Sequence, residues 1–277
     1  MVDQSTPSSL AARDAAFGYG DKTVVDRLDL AIPARSLTVI VGANASGKST
    51  ALRGLARLLK PQRGTVVLDG RSIADLPTRD VARRLGLLPQ MPISPDGIRV
   101  ADLVARGRHP HQSLLRQWTS SDERAVVRAM DATDVANLSH RRMDELSGGQ
   151  RQRVWLAMVL AQETEFLLLD EPTSFLDIAH QIELMELLAV LNSNEGRTIV
   201  AVLHDLNQAC RYATHLVAMC EGRIVAKGAP REIVTADLVE RVFGLSCVIL
   251  EDPISHSPLI VPGTPSARVE ARARGRR

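Results

Sequence analysis

A lysine and two hydroxyls set close behind a pair of glycines suit the holding of phosphate, and this chain has them in Gly42-Ala43-Asn44-Ala45-Ser46-Gly47-Lys48-Ser49-Thr50. Glycines 42 and 47 let the backbone curl close to an anion, and the free N–H groups and dipole of the helix start that follows favour negative charge. Lys48 is placed to reach the β- and γ-phosphates of a nucleotide, and the Ser49 hydroxyl to sit on Mg²⁺. By itself the motif reads only as nucleotide phosphate, since kinases, GTPases, helicases and transport ATPases all carry it. Leu146-Ser147-Gly148-Gly149-Gln150 repeats the logic, with Ser147 as cap and glycines leaving N–H groups free at a positive helix end, so it is a second anion site. Phe166-Leu167-Leu168-Leu169-Asp170-Glu171-Pro172 is an apolar run ending in paired acids. Asp170 stands where a P-loop NTPase places its Mg²⁺-ordering carboxylate, and Glu171 is suited to accept the proton of the water attacking a γ-phosphate, a step worth about 10²- to 10⁴-fold.

These residues need a sheet to hold them. Leu37 to Val41 precedes the first glycine and Leu52, Leu55, Leu58 and Leu59 follow at helical spacing, which predicts strand, tight loop, helix. Arg83 to Pro89 predicts a strand running into Gln90, and Thr198 to Leu203 another running into His204. Residues at the carboxyl ends of such strands lie on the edge where open α/β sheets bind ligands. His204 there would touch the γ-phosphate or hold the attacking water; the alternative is a purely structural histidine. Leu10 to Leu30 predicts an antiparallel hairpin around Phe17-Gly18-Tyr19-Gly20-Asp21, in which Tyr19 either stacks on adenine or lays its ring on the core edge. Thr65 to Gly70 reads as a strand and turn, and residues 91–145 as an inserted helical region with helices from Val100 and Ser121. Within it the basic stretch Ala105 to Gln112 holds His109 and His111, which lack a third ligand nearby and read as surface residues. Beyond Ser174-Phe175-Leu176-Asp177 a helix is patterned on Ile178, Ile182, Met185 and Leu188; Leu216 to Ala226 predicts a hairpin, and Pro230 to Phe243 one amphipathic helix.

The 277 residues suffice for one large α/β domain with a smaller subdomain, built on aliphatics because aromatics are only 3%. The longest apolar run, Val154 to Ala161, is far short of the roughly 18 residues a span needs, and no signal-peptide core is present, so the chain is expected in the cytoplasm. A net charge of +2 argues against a dedicated nucleic-acid binder. Cys210, Cys220 and Cys247 show no CxxC spacing and are expected as buried reduced thiols. Residues 1–9 are polar and expected to be loose, and residues 263–277 form a basic tail, also expected to be disordered.

GANASGKST, Gln90, LSGGQ, LLLDEP, SFLD and His204 stand in the order seen in ATP-binding cassette (ABC) transport ATPases, and the similarity covers about residues 10–262. The resemblance implies a P-loop NTPase of ABC ATPase type: a mixed sheet core, an antiparallel β subdomain and an α-helical subdomain at about 91–150. It implies ATP and Mg²⁺, with Tyr19 and Gly42 to Thr50 (Gly42, Ala43, Asn44, Ala45, Ser46, Gly47, Lys48, Ser49, Thr50) on the nucleotide and Ser49, Gln90 and Asp170 on the metal. Glu171, His204, Gln90 and Lys48 are implied in catalysis. It further implies two copies packed head to tail, so that Ser147, Gly148, Gly149 and Gln150 complete the partner's site. VADLVARGRHPHQSLLRQW, WLAMVLAQETEFLLLDEPTSFLD and LHDLNQACRYATHLVAM resemble the ATPases of bacterial iron(III)-siderophore importers, most nearly the ferric enterobactin type. That implies an integral-membrane permease at the cytoplasmic membrane face, an extracytoplasmic siderophore-binding protein reached indirectly, and no nucleic acid; haem and cobalamin importers share the motifs. Three residues depart from the pattern: Ala43 stands where proline is common, Ala45 where glycine is common, and Phe175 where a small residue or Trp is common. Cassette ATPases of chromosomes, DNA repair or ribosomes are disfavoured because no sustained heptads separate Gln90 from LSGGQ and the motif set occurs once; a small-molecule kinase is disfavoured by LSGGQ itself.

Overall fold

The computed structural model describes residues 9–112 and 118–263. Residues 1–8 and 264–277, on which most of the expected loose N-terminus and basic tail fall, lie outside them. Ser9 is tied down, its N–H donating to Asp69 Oδ1 (2.6 Å) and its carbonyl accepting from Asp69 N (2.9 Å).

The chain runs β1 (Leu10–Tyr19), β2 (Lys22–Ile32), β3 (Leu37–Val41), α1 (Lys48–Leu55), β4 (Arg63–Leu68), β5 (Arg71–Ser72), α2 (Thr78–Ala82), β6 (Leu85–Leu88) and α3 (Val100–Ala105). It continues α4 (Ser120–Ala132), α5 (Gly148–Ala161), β7 (Phe166–Asp170), α6 (Ile178–Glu195), β8 (Thr198–Val202), α7 (Leu206–Tyr212), β9 (His215–Cys220) and β10 (Arg223–Gly228). Two short helices, α8 (Pro230–Ile233) and α9 (Ala236–Phe243), and a hairpin of β11 (Cys247–Glu251) and β12 (Pro258–Pro262) complete it. The central sheet has the order β10-β9-β3-β8-β7-β6, parallel from β9 to β6 with β10 antiparallel at its edge. A separate antiparallel sheet has the order β2-β1-β4-β5.

The central strands β3, β7 and β8 are buried at every position and mostly apolar because both faces are covered, and alternation assigns their apolar residues to one of two cores. Phe166, Leu168, Val200 and Val202 face the antiparallel sheet and α1. Leu167, Leu169, Ile199 and Ala201 face the helices α3 to α7. The site edge is thus held by buried strands on either side of the phosphate loop.

Several sequence expectations change. The helix expected after Gln150 starts earlier and ends later than Arg151 to Val159, since α5 spans Gly148–Ala161. Pro230 to Phe243 is two helices, because Thr235 caps a new start, its hydroxyl accepting from Leu238 N at 3.1 Å. On α6 the packing face is Leu184, Met185 and Leu188, while Ile178 and Ile182 are exposed. Arg108, read as part of a basic loop, is buried and donates to Asp122 Oδ1 (2.9 Å), Ala161 O (2.7 Å) and Glu163 Oε2 (2.8 Å). His111 bonds Gln162 O at 2.8 Å, and no metal-holding cluster of His, Cys, Asp or Glu occurs among the described residues. Of the cysteines only Cys210 is buried, its thiol pushed up to about 12 by desolvation and then by Asp205; Cys220 and Cys247 are half-buried, and all three are free.

Candidate functional site

The loop after β3 ends at Gly47, whose φ of 97° gives α1 its entry; a Cβ there would lie 2.9 Å from Val25 Cγ2. Ser46 N donates to Ala43 O at 3.2 Å, and Gly222, in the β9–β10 turn, donates its N–H to Ser46 O at 3.0 Å. Gly222 O in turn accepts from Asp26 N of β2 at 3.0 Å, so the turn straps the phosphate loop to the antiparallel sheet. Ala45 sits at φ 63°, the left-handed region in which a Cβ is disfavoured. The Lys48 ammonium is folded back on the loop, donating to Gly42 O and Ala43 O at 2.9 Å each. Burial pushes its pKa below the ordinary lysine value, and the nearby Glu171 and Asp170 charges oppose that shift.

α1 and β7 meet at Ser49, whose Oγ donates to Asp170 Oδ1 at 2.7 Å. Asp170 Oδ2 is buried and accepts no hydrogen bond; the closest cation is Arg53, Nε 3.9 Å away. Desolvation raises the Asp170 pKa, against the Ser49 hydrogen bond and the Arg53 charge. Glu171 follows at φ 54°, and its Oε1 lies 2.6 Å from His204 Nε2, with Ser174 Oγ donating to its Oε2 at 3.3 Å. β8 therefore delivers His204 to the acid that β7 delivers.

A cleft of about 660 Å³ joins these groups, lined by Asn44, Ala45, Gly47, Lys48, Ser49, Thr50, Gln90, Glu171 and His204. Lys22, Thr23, Val24, Glu221 and Gly222 also line it. Sequence reasoning missed these five because they bear no motif; the hairpins that carry them were visible, but not that both turn toward the same loop. Gly42, Ala43 and Ser46 lie behind the lining as the loop's frame. Tyr19 does not line the cleft: it is 51% exposed, and its hydroxyl accepts from Arg53 Nη1 at 3.3 Å.

Ser147, Gly148, Gly149 and Gln150 are also outside the cleft. They form a capping box on α5, Gln150 N donating to Ser147 Oγ (3.2 Å) and Ser147 N to Gln150 Oε1 (3.0 Å). A second cavity of about 210 Å³ lies beside them, with Gln90, Met91, Gly148, Arg151, Trp155 and Phe175 among its walls. Gln90 is common to both spaces.

A phosphate loop, a buried carboxylate pair and a histidine thus meet on one sheet edge, and a glycine-opened helix start lies outside their cleft. The family described as ABC transporter matches residues 25–174, more than half of the chain. The chain belongs to the ABC transporter family. It is 55% identical to the ferric enterobactin transport ATP-binding protein of Escherichia coli strain K12, over 91% of this chain and 93% of that one. It is 51% identical to the achromobactin transport ATP-binding protein of Dickeya dadantii strain 3937, over 92% of this chain and 95% of that one. A bacterial ABC transporter cassette solved as a dimer matches with a TM-score of 0.69 at 26% identity, over 79% of this chain and 98% of that one. Among the described residues no helix is long and apolar enough to cross a membrane.

Proposed function

We propose that this ABC protein is the ATP-hydrolysing motor of a bacterial importer of iron(III)-siderophores, of the catecholate kind, working as a homodimer on the cytoplasmic face of a separate integral-membrane permease. An extracytoplasmic siderophore-binding protein delivers the cargo to that permease. The observation that carries the chemistry is the Glu171–His204 contact of 2.6 Å inside the cleft that Lys48, Ser49 and Gln90 also line. The cargo rests on the names of the relatives.

In this reading Lys48 turns from its two loop carbonyls to the β- and γ-phosphates of ATP, which gives a buried ammonium the anionic partner it lacks. Glu171 takes the proton of the attacking water, while His204 holds the Glu171 carboxylate in line. Mg²⁺ fits the donors present: Ser49 Oγ and Asp170 are hard oxygens, and Asp170 Oδ2 is an orphaned buried acceptor, which a cation or its bound water would satisfy. Ser49, Asp170 and Gln90 would hold that ion, which supplies neutralisation of phosphate charge. The second anion site at Ser147 to Gln150 serves the nucleotide of the other copy, since in its own chain it lies outside the cleft. The cavity of Gln90, Met91, Arg151 and Trp155 is where the permease docks, and Gln90 passes the state of the cleft to it.

Uptake of iron-loaded siderophores in a strain lacking the gene tests the cargo. Loss of catecholate uptake is expected; unchanged uptake of catecholates and hydroxamates alike would overturn it.

A further inference from the structure

Each oxygen of the Glu171 carboxylate is held from a different segment. His204 Nε2 lies 2.6 Å from Oε1, and Ser174 Oγ donates to Oε2 at 3.3 Å. His204 stands in the segment that leads from β8 into α7, and Ser174 in the one that leads from β7 into α6. The ladder between β7 and β8 ends at Asp170 and Val202, before either segment begins. Contacts outside the sheet must therefore set the spacing of the two.

Two glutamines join the helices that these segments enter. Each lies in the first turn of its helix and is bonded through its backbone to the residue that caps it: Gln181 N donates to Asp177 O at 2.9 Å, and Gln208 N to Asp205 Oδ1 at 3.0 Å. Their side chains then meet, Gln208 Nε2 donating to Gln181 Oε1 at 2.9 Å. Gln181 Nε2 passes on to Leu176 O at 3.0 Å, inside the Ser174–Asp177 segment. A chain of two hydrogen bonds thus runs from the start of α7 to the backbone near Ser174. Gln208 Oε1 is buried and accepts no hydrogen bond among the described residues, so the bond to Gln181 directs that side chain. An amide left unpaired at a half-buried helix start would cost its desolvation, whereas a paired one fixes a distance and a direction that aliphatic contact leaves loose.

We propose that Gln181 and Gln208 are positioning residues for ATP hydrolysis: together they hold the Ser174 and His204 segments in register, so that Glu171 is gripped from both sides. Neither glutamine lines the cleft. The pair acts through Glu171, and the inference rests on the general-base role proposed for that residue above.

The experiment uses the full-length protein with its permease and measures kcat and the ATP dissociation constant for Gln181→Met, Gln208→Met and the double variant. Methionine keeps the length and helix preference of glutamine and removes both hydrogen-bonding groups. Each single variant should lower kcat about tenfold, within the roughly 10²-fold that a misplacement of about 1 Å can cost, and leave ATP affinity within twofold of the parent. The double variant should fall no further than the slower single one, since either substitution breaks the same chain. Losses that multiply in the double variant would make the two residues independent and overturn the proposal. Parental kcat in all three would overturn it as well, with the role of Glu171 untouched. A variant that lost ATP binding along with kcat would also overturn it, because the pair would then hold the fold and not the acid. Glu171→Gln protein run beside them separates the two readings: hydrolysis at the parental rate would remove the general base, and this inference with it.

Discussion

Glu171 occupies left-handed backbone at φ 54° immediately after a fully buried strand, a conformation that a non-glycine residue holds only when its surroundings insist. The insistence is visible: its N–H donates to Val202 O at 3.2 Å, and its carboxylate is gripped by His204 and Ser174. The bend turns the side chain off the line of β7 toward the cleft, where Asp170, one residue earlier, stays under α1. Glu171→Gln keeps the shape and loses the base, so steady-state ATP hydrolysis with the permease should fall by about 10²- to 10⁴-fold while ATP binding persists; an unchanged rate in a phosphate-release assay would reassign the base. Ala45 presents the opposite case, strain with no contact to offset it. Its φ of 63° would suit glycine, and Ala45→Gly should raise stability by about 0.5–1 kcal/mol, the relief of left-handed strain exceeding the added chain entropy. Thermal unfolding reads this directly, and a lower midpoint would show that the loop's Cβ is packed.

Between elements, the connections that matter are those no motif announces. Arg108 joins the segment after α3 to the start of α4 and the end of α5, and replacing it by methionine leaves Asp122 buried without its cation, at a cost of about 3–5 kcal/mol in denaturant unfolding. Burial by itself would raise the Asp122 pKa, but the Thr119 hydroxyl, Arg108 and the Thr119 N–H hold it down to about 2. Its contribution to stability is therefore complete above the ordinary carboxylate value of about 3.9 and lost as pH falls through 2; Asp122→Asn should flatten the acid limb of the stability curve over that window. Gly222 has φ 75°, and a Cβ on it would lie 2.1 Å from Val24 O, so Gly222→Ala should release the strap on the phosphate loop, weakening nucleotide binding and costing about 2 kcal/mol or more. Residues whose roles follow from local spacing are legible in the chain itself: glycine spacing places the phosphate loop, and buried apolar runs place Asp170, Glu171 and His204 on one edge. Arg108, Gly222 and Lys22 are not, because their roles depend on partners distant in sequence. Ile178 and Ile182 mislead for the converse reason: helical spacing identifies a face without saying what covers it.

On the two-copy reading proposed above, a single copy is half a site. The cleft presents Lys48, Ser49, Gln90, Glu171 and His204, and the signature start at Ser147 lies elsewhere on the same chain. Whether the second anion site serves its own chain or its partner's is decided by mixing two dead subunits. Lys48→Ala removes the phosphate lysine from one copy, and Ser147→Arg obstructs the helix start of the other. Each homodimer then has two damaged sites and should hydrolyse almost nothing. In the mixed dimer the damage is distributed differently if Ser147 acts across the interface: one site collects both lesions, and the other has an intact phosphate loop facing an intact signature. Random pairing makes half the dimers mixed, so equimolar mixtures should recover up to about a quarter of the parental rate, by the symmetry of a two-fold pair with independent sites. If Ser147 served its own cleft, every site in the mixture would remain damaged and no activity would return. Recovery that appears on mixing and titrates with the ratio of the two variants therefore measures the sharing of the site, and a flat zero with both variants folded and membrane-bound would remove the trans role of Ser147, Gly148 and Gly149.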